Sequence, residues 1–206
     1  MQANRTITRA DLLPAEAYAK VRKERRRALL EKKKWRRLEV GPVASFLFES
    51  YDSMWLQVQE MLYIERGGDA QIDDELAAYN PLLPQGDELV ATVLFEIDEP
   101  QRRKSFLGRL GGVEQTAFLS FAGETVEGRP EGDIDRSTED GKASAVQFLH
   151  FRFTPEQIAK FRTPGTQIAK FRTPDTQVVV GFRHPSYAHM AVMPEAVRAA
   201  LAGDFA

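Results

Sequence analysis

The sequence predicts a single α+β domain, with an antiparallel or mixed sheet of about five to seven strands covered by helices. Three observations lead to this prediction. Segments with the apolar periodicity of helices fill roughly residues 8–80, and segments with the alternation of strands fill roughly residues 88–206. A chain of 206 residues with 43% hydrophobic and 28% charged residues also has the composition of one globular domain. We therefore expect residues 1–206 to form one domain with a helix-rich N-terminal part.

The first predicted helix covers residues 14–37, a stretch of helix formers without glycine and with a proline in its first turn. The apolar residues that share one face of it are Tyr18, Val21, Ala28, Leu29 and Trp35. Arg25 and Lys32 fall on the same face. A buried charge needs a partner, and Glu65 lies on the apolar face of a second predicted helix, residues 52–66. We expect an ion pair of Glu65 with Arg25 or Lys32 to join the two helices.

Short elements separate and follow these helices. Strands at residues 38–40 and 43–49 flank Gly41-Pro42 and predict a hairpin. The second helix ends at Gly67-Gly68, which is typical of a left-handed helix stop, and a third helix follows over residues 69–79.

The second half of the chain is predicted to consist mainly of strands. Residues 89–97 are apolar at both sets of alternating positions, which indicates a central strand. Further strands are predicted over residues 116–121, 143–153, 177–183 and 187–193, and helices over 98–111 and 194–202. Residues 123–142 are rich in glycine and acidic residues, so we expect an exposed loop there.

An exact repeat interrupts the strand-rich half. The octapeptide Gln-Ile-Ala-Lys-Phe-Arg-Thr-Pro occurs at residues 157–164 and again at 167–174. A repeat architecture needs at least about three units to build a shared core. We therefore interpret segment 157–176 as a tandem duplication tolerated beside a loop.

The composition excludes several classes of function. Without cysteine the chain cannot form disulfides, thiol nucleophiles, thiolate zinc sites or cysteine-bound iron–sulfur clusters. It also lacks a serine-hydrolase elbow, a Walker loop, a dinucleotide-binding glycine motif and the metalloprotease histidine pattern. We expect no cofactor and no metal. The N-terminus has no signal-peptide core and no apolar run approaches a membrane span, so we expect a cytoplasmic protein without membrane contact.

Charge is distributed unevenly along the chain. Residues 20–37 hold 11 of the 28 basic residues and only 2 of the 30 acidic ones. Such clusters neutralise phosphates, and the candidate polyanion-binding residues are Arg22, Lys23, Arg26, Arg27, Lys33, Lys34 and Arg37. The rest of the chain is acidic and no nucleic-acid-binding motif accompanies the helix, which favours a solvated helix face. Weak nucleic-acid binding is therefore an alternative hypothesis only.

A second alternative is an enzyme or small-molecule binder with a site near Glu60, His184 and Tyr187. Glu60 lies on a helix crowded with polar residues, and the other two belong to the segment His-Pro-Ser-Tyr. These side chains are suited to acid–base chemistry if they meet in space. The opposing interpretation is that His184, which precedes a proline, holds a turn.

Several short segments, in this order, resemble those of a known family. They are Leu12-Leu13-Pro14, Leu47-Phe48-Glu49, Gln57-x-Gln-Glu-Met61, Tyr79-Asn80-x-Leu-x-Pro84, Ala91-Thr92 leading to Glu96-Ile-Asp98, Ala145-Val-Gln-x-Leu149 and His184-Pro-x-Tyr187. Over nearly its whole length the chain resembles an uncharacterised bacterial family of unknown function, the domain family numbered 3501. The resemblance implies no catalytic residues, because the family has no established activity.

The resemblance also implies an association with redox or peroxide-related metabolism. Our first hypothesis is therefore a non-catalytic accessory or partner-binding protein of the bacterial cytoplasm that works with a redox system without carrying its cofactor. The hypothesis includes a homodimer as one form of this protein.

Overall fold

The computed structural model describes residues 5–121, 124–132, 142–154 and 177–205. Within these ranges the helices are α1 Ala15–Lys33, α2 Tyr51–Glu65, α3 Gly68–Tyr79, α4 Pro100–Leu107 and α5 Glu195–Leu201. The strands are β1 Arg37–Val40, β2 Ala44–Phe48, β3 Glu88–Phe95, β4 Ala117–Phe121, β5 Glu124–Pro130, β6 Val146–Arg152, β7 Val178–Phe182 and β8 Met190–Val192. The predicted α+β class is confirmed. The tandem repeat at 157–176 lies outside the described residues.

The eight strands form one antiparallel sheet in the order β1-β2-β3-β6-β5-β4-β7-β8. Because β8 returns to lie near β1, the sheet is nearly closed and barrel-like. The expected number of about five to seven strands is too low.

The main reason for this difference is β5, which forms where we expected an exposed loop. Its buried residues are only Val126 and Gly128, so its polar outward face dominates the composition. A side chain at Gly128 would place its Cβ 2.9 Å from the Cβ of Ala117, which explains a glycine inside this strand. Residues 133–141 of the predicted loop lie outside the described residues.

The prediction of a helix-rich N-terminal part is met only in part, because the hairpin strands β1 and β2, which were predicted there, belong to the main sheet. Helix α1 ends four residues before the predicted end at 37, since the next residues turn into β1. In that turn Arg36 is buried, and its Nε donates to the carbonyl oxygen of Phe48 at 2.9 Å. Its guanidinium also lies 2.5 Å from the carboxylate of Asp204, which connects the start of the sheet to the C-terminus.

The interior of the barrel-like sheet is the main hydrophobic core. The ring of Phe182 lies with its centroid 5.2 Å from that of Phe46 and 5.9 Å from that of Phe95. Helix α5 adds Val197 and Leu201 to the same core. The core therefore joins the N-terminal strands to the C-terminal helix.

Tyr187 connects the chain just before β8 to the β1–β2 hairpin. Its hydroxyl donates to the carbonyl oxygen of Val40 at 2.7 Å and accepts from the backbone N–H of Ala44 at 3.0 Å. Burial raises the pKa of Tyr187, which keeps the hydroxyl protonated as a donor. Gly41, at φ +70°, makes the close approach possible, because a Cβ there would lie 2.8 Å from the Tyr187 oxygen.

The helical layer covers the outer face of the sheet. Met54 and Val58 of α2 pack with Val90 of β3 in a second apolar cluster. Helix α1 packs on α2 through Tyr18 and Leu29. No helix among the described residues combines the length and the apolar composition that a membrane crossing requires.

Candidate functional site

The charges between α1 and α2 pair differently from the prediction. Lys32 forms an ion pair with Asp52, and the guanidinium carbon of Arg25 lies 5.4 Å from the ring centroid of Trp55. Glu65 instead accepts a hydrogen bond from Gln71 of α3 at 2.8 Å. Both Arg25 and Lys32 are exposed, so neither needs a buried partner.

The antiparallel packing of the two helices explains this correction. Lys32, near the end of α1, lies beside Asp52 in the first turn of α2, whereas Glu65 is the last residue of α2. Asp52 and Glu65 are thirteen positions apart along the helix, a distance of about 20 Å. The predicted pair is therefore out of reach.

One face of α1 carries a stripe of cations that forms what we call the basic cleft. It has a volume of about 490 Å³ and is lined by Ala19, Arg22, Lys23, Arg26, Arg27, Leu30 and Tyr63. The α1 residues follow the i, i+3, i+4, i+7 spacing of one helix face. Four of the seven predicted polyanion-binding residues thus lie together. Of the other three, Lys34 pairs with Glu31 and Arg37 with Glu96, and Lys33 is half-buried near the end of α1.

The inner wall of the basic cleft is held by Glu60. Its carboxylate accepts from Arg22 in a bidentate arrangement, at 2.9 Å from Nε and 2.8 Å from Nη2, and from the Tyr18 hydroxyl at 2.5 Å. The hydrogen bond from Arg22 lowers the pKa of Glu60, and the Tyr18 and Arg26 side chains lower it further. The Arg22 guanidinium lies 4.8 Å from the ring centroid of Tyr63. The side chain of Arg22 is thus held in place in the inner wall of the cleft, and its charge is neutralised by Glu60.

The outer rim of the basic cleft is not neutralised. Lys23, Arg26 and Arg27 are exposed and take part in no ion pair among the residues that the structure describes. Leu30 continues the same helix face and is 62% exposed. The rim therefore presents three cations without a direct ion pair in the described part of the chain, of which Arg26 also interacts at longer range with Glu60, beside one apolar side chain.

The structure brings only two of the three predicted enzyme residues into contact. His184 and Tyr187 face each other in an isolated β-bridge. His184 Nε2 lies 3.2 Å from the carbonyl oxygen of Gly111, so this nitrogen carries the proton, and Nδ1 accepts from the N–H of Ser186 at 3.1 Å. Glu60 bonds to α1 and shares no described contact with either residue. The histidine holds a turn, as the opposing interpretation proposed.

A buried polar cluster on the outer face of the sheet was missed by the sequence reasoning. His150 of β6 is 3% exposed, with Nδ1 2.9 Å from Glu88 Oε2 and Nε2 beside the carboxylate of Glu131. Arg152 adds a hydrogen bond to Glu88 at 2.7 Å. A sequence signal existed, because His150 and Arg152 share one face of a strand that is otherwise mostly apolar.

This cluster is arranged for mutual neutralisation. Burial raises the pKa of Glu88, but the hydrogen bonds from His150 and Arg152 more than offset this, so that its pKa lies below the ordinary value. The two carboxylates lie on opposite sides of the imidazole ring and cannot share one ion with it. Consistently, no group of three histidine, aspartate or glutamate side chains in the described ranges is placed to hold a metal.

A second concave surface, which we call the apolar groove, adjoins the basic cleft. It has a volume of about 700 Å³ and is lined by Arg9, Leu12, Leu13, Pro14, Ala15, Glu16, Ala19, Leu62, Tyr63, Arg66, Gly68, Asp69, Gln71 and Ile72. Its N-terminal wall is fixed by side-chain amides: Asn80 Oδ1 accepts from the N–H of Ile7 at 2.8 Å, and Gln59 Oε1 accepts from that of Leu13 at 2.5 Å. Both amides belong to the segments that carried the family resemblance.

A family model described as Protein of unknown function (DUF3501) matches residues 6–205. The chain belongs to the DUF3501 family. Among solved structures it is similar to a novel protein of unknown function from Burkholderia pseudomallei, with 35% identity and a TM-score of 0.84. The alignment covers 98% of this chain and 100% of that one. A search of the curated proteins found no match. The resemblance noted in the sequence is confirmed, and the function of the DUF3501 family is unknown.

Proposed function

We propose that this DUF3501 protein is a non-catalytic binding protein that recognises an acidic segment of a protein partner through the basic cleft. The observation that carries this proposal is the outer rim, where Lys23, Arg26 and Arg27 are exposed without ion-pair partners in the described part of the chain. Free cations on a rigid helix attract carboxylates and raise the association rate.

The contacts of the candidate catalytic groups also support binding over catalysis. Glu60 is neutralised by Arg22 and accepts from Tyr18, and His184 is hydrogen-bonded at both ring nitrogens. General acid–base catalysis needs a group that can exchange a proton with a substrate. These groups are instead engaged in holding helices and turns.

The surroundings of the basic cleft favour a protein segment over duplex nucleic acid. Leu30 is 62% exposed at the end of the cation stripe, and an apolar contact of this kind suits a protein side chain. The stripe from Ala19 to Leu30 is about 16 Å long, which is half a turn of duplex DNA. The full chain has a net charge of −2, so its remaining surface repels a long polyanion.

The family resemblance supplies an expectation about the partner. We propose that it belongs to a redox or peroxide-related system in the bacterial cytoplasm, and that the DUF3501 protein contributes no cofactor of its own. A pull-down from cells that express the wild type and a charge-reversed variant tests this part separately.

The binding proposal is tested with two labelled probes, a 12-residue peptide rich in glutamate and a 20-base-pair DNA duplex. We expect the wild type to bind the peptide, with affinity that falls at least about tenfold between 50 and 200 mM salt. The double variant Lys23→Glu/Arg27→Glu should lose at least about tenfold in affinity. The matched control is Arg102→Glu/Lys104→Glu, which reverses two exposed cations of α4 and changes the net charge equally.

Two results would contradict the proposal. Equal losses in both double variants would show that only net charge matters. Tighter binding of the duplex than of the peptide would favour the nucleic-acid alternative.

A further inference from the structure

The apolar groove and the basic cleft form one continuous trench. Ala19 and Tyr63 line both of them, so the two volumes meet across the start of α1. One end of the trench lies beside Ile72 of α3, and the other ends at Leu30. A single ligand segment can therefore contact both regions at once.

The two ends of the trench differ in chemistry. The groove is walled by apolar side chains from three parts of the chain: Leu12 before α1, Leu62 of α2 and Ile72 of α3. Its cation Arg9 is already paired with Asp73 at 2.7 Å. The basic cleft instead carries the three free cations of the outer rim.

The charges within the groove do not favour an acidic ligand. Besides Arg9, which is paired with Asp73, the groove is lined by one exposed cation, Arg66, and by two exposed anions, Glu16 and Asp69. Attraction in this region comes from burial of apolar surface, whereas attraction at the other end comes from unneutralised cations. Among the residues that line the trench, cations therefore outnumber anions only at the end formed by the basic cleft, which sets the direction of a bound segment.

We infer that the partner's binding segment carries apolar residues directly next to its acidic residues. The apolar residues fill the groove and the acidic residues lie against Lys23, Arg26 and Arg27. This inference rests on the proposed function and adds the partner's sequence chemistry and orientation. Over the 16 Å or so of the cation stripe, an extended chain places about five residues.

The test is a selection from a displayed library of random 16-residue peptides, made in parallel on the wild type and on variants. We expect the wild type to enrich peptides with a cluster of apolar residues next to a cluster of Glu and Asp. Ala19→Trp blocks the exposed point where the groove meets the cleft and should remove this enrichment. Ala78→Trp makes the same change at an exposed position of α3 outside the trench and should leave it intact.

A second variant tests the contribution of the apolar groove separately from that of the basic cleft. Ile72→Glu places a carboxylate in the groove and should abolish the apolar preference while acidic residues are still enriched. Synthetic copies of the enriched peptides, with their apolar residues changed to serine, should bind the wild type at least about tenfold more weakly.

The outcomes distinguish this inference from the proposed function. Enrichment of acidic residues without neighbouring apolar residues overturns the inference and leaves acidic-partner binding standing. Enrichment without acidic residues, or no enrichment, overturns both. If analytical ultracentrifugation shows a wild-type dimer that Ala19→Trp dissociates, the trench is occupied by a second copy of the chain. That result would also overturn the inference.

Discussion

Replacing Tyr187 by phenylalanine isolates the hydroxyl group that ties the chain before β8 to the β1–β2 hairpin. The variant keeps the ring, and with it the edge-on contacts to Phe95 and Phe106 at centroid distances of 5.8 and 5.7 Å. It removes the hydrogen bonds to Val40 and Ala44, which are buried with Tyr187. The change therefore tests the seam of the barrel-like sheet, by which we mean the place where the chain before β8 meets the β1–β2 hairpin. It leaves the packing of the core intact.

The expected loss follows from the two short hydrogen bonds. Each contributes about 0.5–1.5 kcal/mol net, and a buried group left without a partner costs about 1–3 kcal/mol. The free energy of unfolding should fall by about 2–4 kcal/mol. With a urea dependence of about 2 kcal/mol per molar, the unfolding midpoint should fall by about 1–2 M at unchanged slope.

Urea unfolding followed by tryptophan fluorescence measures this shift. The matched control is Tyr79→Phe, because the one hydrogen bond of the Tyr79 hydroxyl within the described ranges is a 3.3 Å bond that it accepts from the exposed Gln57. The control should change the free energy of unfolding by no more than about 0.5 kcal/mol. Equal midpoint shifts in the two variants would refute the assignment of Tyr187 as the residue that holds the seam.

Three further changes probe other parts of the fold. Gly41→Ala should lower the free energy of unfolding by about 2–4 kcal/mol, because φ at this position is +70° and the new Cβ would lie 2.6 Å from His189 Cγ. A urea unfolding midpoint within error of the wild-type value would contradict this. The pKa of Glu88 is lower in the folded protein than the value of 4.5 that applies in the unfolded chain. Ionised Glu88 therefore stabilises the fold at pH values above 4.5, and this contribution is lost as the pH falls through the lower folded-state pKa. The stability difference between the wild type and Glu88→Gln, measured by urea unfolding from pH 7 to pH 3, should therefore shrink below about pH 4.5, and a constant difference would count against it. Asp204→Ala leaves the buried Arg36 without its carboxylate and should lower the thermal midpoint by several degrees, equivalent to about 2–4 kcal/mol; an unchanged midpoint would show that the pair contributes nothing.

Local sequence patterns were sufficient for most helices and strands. The second and third helices were predicted over residues 52–66 and 69–79 and are observed as α2 Tyr51–Glu65 and α3 Gly68–Tyr79. Their apolar periodicity is a property of neighbouring residues, which needs no knowledge of the rest of the fold. The predicted glycine stop of α2 differs in detail, because the left-handed residue that ends the helix is Arg66, at φ +55°, and Gly68 begins α3. The strand β5 was missed because only two of its residues face the core.

The candidate site was predicted in part. The basic residues that line the cleft are adjacent turns of one helix, so their common face follows from spacing alone. The positions of Arg25 and Lys32 were misread because periodicity identifies a stripe on a helix but not how much of it a neighbour covers. On α1 the buried part is limited to Tyr18 and Leu29.

The sequence by itself determined the fold class, the absence of thiol chemistry, the family and the cation stripe on the first helix. Only the tertiary structure decided which charges pair, that Glu60 neutralises Arg22, and that an apolar groove adjoins the basic cleft. The physical reason is distance along the chain. A helix face is set by residues three or four positions apart, whereas an ion pair or a cavity depends on how separate elements pack, and many packings are compatible with the same local pattern.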